Sequence, residues 1–166
     1  MTTKKIIRSQ YLATLEMLNQ SILQCPEDLW TDTRLKNQFW QIAYHALFYA
    51  HLYLQPTEED FSSWKGHYEN AHLFSSPDPV LSAEGEGVGS YPKKDMLEYL
   101  EFCRQEIETQ VAALNLEAES GFPWIPFSKQ ELQFYNIRHL QHHTGELCER
   151  LGTVAGIDIK WVGMMN

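Results

Sequence analysis

Apolar residues recur at steps of three and four along four stretches of this chain, a period that predicts four helices. In the first, residues 3–24, Tyr11, Leu15, Leu18 and Ile22 line one face, and Pro26 stops the run. The second, residues 34–54, contains FWQIAYHALFYAHLYL and is apolar nearly all round. A helix of that kind is usually central in its domain. Pro56 ends it. The third opens near Pro92, with Ser90 as a candidate cap and proline tolerated in the first turn. Met96, Leu100, Cys103, Ile107, Val111 and Leu114 carry it to about Leu116. The fourth opens at Ser128, where Ser128-Lys-Gln-Glu131 matches a capping box, in which cap and third residue satisfy each other's orphan backbone donors. Ile137, Leu140, Leu147 and Leu151 form its seam, and Gly152 is a candidate stop.

Residues 55–92 hold Pro56, Pro77, Pro79, Gly85, Gly87, Gly89 and Pro92, and are long for a link between helices. They are expected to cross the end of the helices, with a short helical turn over residues 64–74 and a mobile SAEGEGVGS stretch. The link ESGFPWIPFS is shorter and aromatic, and is expected to pack down as a wall. The tail TVAGIDIKWVGMMN is too apolar to hang in water, so it either folds back or meets a partner chain. No internal repeat and no strand-like alternation of useful length is present. These elements predict an all-α fold in one domain, residues 1–166: a four-helix bundle with a long crossover between its second and third helices.

A length of 166 residues suits one domain with a real core, and 43% hydrophobic with 21% charged residues is ordinary for a globular protein. The net charge of -9 and the lack of a Lys/Arg run argue against a nucleic-acid surface, which must neutralise phosphates. Cys25, Cys103 and Cys148 are odd in number and widely spaced, so they read as buried thiols rather than a disulfide framework or a zinc knuckle. The start MTTKKIIRSQ lacks the apolar region of a signal peptide. No apolar run approaches the ~20 residues of a membrane span, so a cytoplasmic location is the expectation.

The candidate chemistry lies in histidines. In the fourth helix, His143 stands about 40° from His139 one turn on, while His142 stands about 60° away on the other side. The apolar seam lies toward His143, which places His143 at the interior edge, His139 at its shoulder and His142 outward. A neighbouring helix can bring the lone His45 of the second helix to the same point. Glu146 shares the His139 stripe and is a candidate fourth ligand, orienting partner or general base. His51 points about 240° from His45 and cannot share its site. Glu69-x-x-His72 matches half of a di-iron motif whose other parts are missing, and reads as coincidence.

Phe39-Trp-Gln-Ile-Ala-Tyr-His45, followed far downstream by His139-Leu-Gln-His-His143-Thr-Gly-Glu146, resembles the DinB/YfiT-like superfamily of metal-dependent enzymes. The resemblance covers nearly the whole chain, because helix order and the long link after the second helix also fit. It implies a bundle holding a divalent metal on His45, His139 and His143. The family often has glutamine where this chain has Glu146. Relatives include transferases that use low-molecular-weight thiols.

Three neutral imidazoles suit zinc, nickel, manganese or iron, with coordination positions left for a small-molecule substrate. The expectation is a metal-dependent enzyme, with thiol-dependent S-transfer favoured by the resemblance and hydrolysis as the alternative. Glu146 and His142 are the candidate proton carriers. A non-catalytic metal-binding or dimerising bundle is the other alternative, since 8 Phe, 8 Tyr and 5 Trp suit a homodimer face as well as a pocket wall.

Overall fold

The computed structural model describes residues 2–74, 80–81, 87–88 and 90–165. Its elements are helices α1 (Thr3–Gln24), α2 (Glu27–Trp30), α3 (Phe39–Leu52), α4 (Lys93–Ala113) and α5 (Lys129–Arg150). A minimal antiparallel ladder pairs β1 (Val80–Leu81) with β2 (Gly87–Val88). Every long element is helical, and the fold is all-α.

The Thr2 hydroxyl caps α1 at Lys5 N, and Ile7, Tyr11, Leu15, Leu18 and Ile22 bury its inner face completely. Extended Cys25 and Pro26 end it, and the chain turns at once into α2. Trp30 then ties the turn down: its Nε1 donates to the Tyr91 carbonyl at 2.8 Å and its ring meets Phe39 at 5.6 Å.

Helix α3 starts at Phe39, five residues later than the apolar pattern suggests. The Asp32 carboxylate accepts from the backbone N–H and the guanidinium of Arg34, a local turn that competes with helix. Gln38 and Gln41 form a reciprocal capping box that sets the start. In α4, Pro92 is the cap residue and no side chain caps the helix, so Ser90 has no such role, and the helix ends at Ala113. In α5, Ser128 Oγ accepts from Glu131 N at 3.2 Å, the first half of the expected box. The chain does not stop at Gly152. It continues as a π-turn, Leu151–Ala155, and ends at Gly156, whose φ of +66° favours glycine.

Helices α1 and α3 each pack against both α4 and α5. Polar stitches cross this core. Tyr11 Oη donates to Gln133 Oε1 at 2.9 Å, Gln133 Nε2 to the Tyr53 carbonyl at 3.1 Å, and Asn136 Nδ2 to the Ala50 carbonyl at 3.1 Å. The buried Lys129 ammonium donates to the carbonyls of Gln55 and Pro56, just past the end of α3. Together these bonds fix the register of α5 on α1 and α3.

Residues 64–74 form successive turns rather than the expected helical turn. Most of the SAEGEGVGS stretch lies outside the described residues. The aromatic link does pack down: Ser120, Phe122 and Ile125 are buried, and Gly121, at φ +81°, passes close to the Pro56 carbonyl. The tail folds back along α1, where Gln10 Nε2 donates to the Gly163 carbonyl and Met165 N to Ser9 Oγ. Cys25 and Cys103 are buried, whereas Cys148 is only partly so and faces Ser21 Oγ at 3.5 Å. Among the described residues, no helix is long and apolar enough to cross a membrane.

Candidate metal centre

Helix α3 carries His45 on the side where α5 lies, and α5 carries His139 and His143 one turn apart. The three imidazoles meet. Their ring centroids stand 5.1 Å (His45–His139), 4.6 Å (His45–His143) and 4.7 Å (His139–His143) apart. One ligand nitrogen from each lies within 4.8 Å of the others, and the cluster can hold a metal ion. His45 Nε2 and His139 Nε2 are 3.2 Å apart. Two nitrogens on one zinc ion at tetrahedral geometry stand about 3.3 Å apart. A hydrogen bond between His45 and His139 explains that distance as well, but it gives His143 no part in the arrangement.

The outer nitrogens show which way each ring is set. His45 Nδ1 donates to the His72 carbonyl at 2.7 Å, so Nε2 keeps its lone pair. His143 Nδ1 faces Glu146 Oε2 at 3.3 Å, which leaves its Nε2 as the free nitrogen. Arg150 donates to the other oxygen, Glu146 Oε1, at 3.0 Å and to the Asn37 carbonyl at 2.6 Å. Both carboxylate oxygens of Glu146 are thus engaged, and of the three roles open to this residue the orienting one fits. His139 Nδ1 is buried with no partner among the described residues.

Burial favours the neutral form of all three rings. It pushes the His45 imidazole down to about 4, against the opposing pull of the bond to His72. Burial, and then the neighbouring His143 and His45, push His139 to about 3. Burial also lowers His143, with Glu146 opposing. A buried cluster of imidazoles whose ring nitrogens converge is a donor set that divalent transition metals take.

Aromatic rings close the site. Phe74 from the crossover stacks on His45 at 4.0 Å and meets His143 edge-on at 5.5 Å. Tyr49, one turn after His45, packs on His45 at 4.8 Å and on His139 at 5.3 Å. His142 is exposed, with its ring 4.9 Å from that of His143, and joins His143 and Glu146 in a second, more open cluster. His51 lies apart, buried among Phe61, Tyr99 and Phe102. Glu69 and His72 join no metal-holding cluster among the described residues.

The sequence pattern missed the His72 carbonyl, Phe74, Tyr49 and Arg150. Arg150, four residues after Glu146, and Tyr49, four residues after His45, left a signal in their helical spacing. No family model, no curated protein and no solved structure matches this chain.

Proposed function

We propose that this chain is a four-helix bundle of the DinB-like kind that acts as a divalent-metal-dependent enzyme on small molecules, with thiol-dependent S-transfer as its reaction class. His45, His139 and His143 would hold the ion. The observation that carries the metal reading is the convergence of three neutral imidazoles, two of them with outer nitrogens committed to His72 and Glu146. S-transfer rests on the motif resemblance alone.

Held there, a divalent ion would supply Lewis acidity toward a thiol or water and so favour a nucleophile at neutral pH. The chain's own residues do the rest. The His72 carbonyl and Glu146 keep two imidazoles in the metal-binding tautomer, and Arg150 keeps Glu146 in place. Phe74 and Tyr49 exclude water from two sides of the cluster. His142, exposed beside His143, would pass a proton to solvent.

The test begins with metal analysis of protein made without a histidine tag. The parent is expected to carry about one divalent ion per chain, and His45→Ala and His143→Ala to carry none. Equal metal in parent and variants rejects the site. Metal-loaded protein is then incubated with a panel of small thiols and electrophiles. Metal-dependent consumption of thiol supports S-transfer, and release of product with water alone supports hydrolysis.

One observation favours a second reading, a dimerising module without catalysis. Trp161 is 74% exposed and Met164 59% exposed on the folded-back tail. Exposed aromatic and Met side chains are enriched where chains meet. Metal binding without turnover, together with a dimer in solution, supports this reading.

A further inference from the structure

One turn of α3 grips the crossover at three points. Tyr44 Oη is hydrogen-bonded to His67 Nδ1 at 2.5 Å. His45 Nδ1 donates to the His72 carbonyl at 2.7 Å. Phe48 takes the His72 ring flat against its own, at 4.0 Å and 10°. Between these contacts the segment has no helix of its own to hold its shape. A second brace comes from Tyr91, whose hydroxyl donates to the Gly66 carbonyl at 2.7 Å and accepts from Tyr68 N at 2.8 Å. The placement has a cost, because His72 Nδ1 is buried with no partner among the described residues.

We propose that Tyr44 and His67 are positioning residues for the metal centre: their hydrogen bond latches the crossover so that the His72 carbonyl sets the tautomer of His45. Neither side chain is one of the three candidate ligands. Tyr44 and His45 are consecutive on α3, so their side chains leave the helix about 100° apart. One holds the crossover at residue 67 while the other is held by it at residue 72. A crossover that slips frees His45 Nδ1, and nothing then fixes the proton on that nitrogen rather than on Nε2. With the proton on Nε2, the ring turns an N–H toward His139 and His143 instead of a lone pair.

The inference rests on the metal reading for one of its measurements only. Imidazole 15N NMR of metal-free protein reads the His45 tautomer directly. Chelator competition with zinc reads affinity, and a thermal melt reads overall stability. The variants are Tyr44→Phe, which removes only the hydroxyl, His67→Ala, and His67→Asn, which keeps an amide near the position of Nδ1. In the parent, His45 is expected as the Nδ1–H form. Tyr44→Phe and His67→Ala are expected to give mixed tautomers and about tenfold weaker zinc binding, with His67→Asn restoring both. A His45 tautomer and zinc affinity that stay at the parent's values in Tyr44→Phe overturn the latch. So does a His67→Asn variant as impaired as His67→Ala, because packing alone then explains the loss. A parent that binds no zinc sinks the proposed function, and the tautomer measurement still decides the latch.

Discussion

His51 separates burial from metal chemistry among the histidines of this chain. It sits on α3 six residues after His45, is 2% exposed, and has its Nδ1 3.3 Å from Tyr99 Oη. Burial pushes its imidazole from 6.5 down to about 4, with Glu106 opposing weakly. Because the folded value is depressed, the unfolded chain takes up the proton first as the pH falls. The stability that this group contributes is therefore fully present well above 6.5, is lost as the pH falls from 6.5 toward 4, and changes no further below. The full shift corresponds to about 3 kcal/mol, of which about 2 kcal/mol is already lost at about pH 5. The perturbation is His51→Phe, which keeps an aromatic ring among Phe61, Tyr99 and Phe102 and cannot take a proton. Parent and variant are unfolded with urea at about pH 7.5 and about pH 5. Whatever offset the lost Tyr99 contact introduces, the stability difference is expected to move by about 2 kcal/mol in the variant's favour over that interval. A difference that stays constant within about 0.5 kcal/mol refutes the reasoning, because the ring then titrates as if in water.

Glu146→Ala releases both His143 and Arg150 and is expected to weaken zinc binding about 10–100-fold, read by chelator competition, without abolishing it. Gln133→Leu leaves the Tyr11 hydroxyl only its 3.5 Å contact to the main-chain carbonyl of residue 133 and strands the Tyr53 carbonyl in the core, and is expected to cost about 1–3 kcal/mol in urea melts, against about 1 kcal/mol for Tyr11→Phe. In Gly121→Ala the added Cβ would meet the Pro56 carbonyl oxygen in a left-handed backbone conformation, and a loss of at least about 2 kcal/mol is expected from the same assay.

The long elements were legible because their signal is periodic. Tyr11, Leu15, Leu18 and Ile22 recur on one face, and that face is the one α1 buries. The bounds of α1 and the Ser128 cap of α5 were legible too, but other helix ends were not, because local competition decides them. Residues 34–38 carry an apolar continuation of the α3 pattern in Leu35, yet the Asp32–Arg34 turn outcompetes helix there. The π-turn through Gly152 joins one helical geometry to another and leaves the apolar spacing nearly unchanged, so the stop at Gly156 carries no periodic mark. Angular position on a helix also placed the candidate site: the 40° separation of His139 and His143 is a property of any helix, and it survives into the structure as rings 4.7 Å apart.

What angle cannot give is the partner of the outer nitrogen of each imidazole, and that partner decides whether a ring presents a lone pair or a proton. For His143 the partner is Glu146, three residues along the same helix, and helical spacing suffices to find it. For His45 it is a main-chain carbonyl from a segment without periodicity, and any residue at position 72 would supply that oxygen. The identity of residue 72 is therefore silent about the bond, while the residues that bring its carbonyl to His45 are informative. Tyr44, Phe48 and Tyr91 look like ordinary core aromatics in the sequence, and in the fold they seat the crossover. The candidate ligands of such a centre can be read from a motif, but the contact that sets the tautomer of His45 comes from how a long irregular connection is docked.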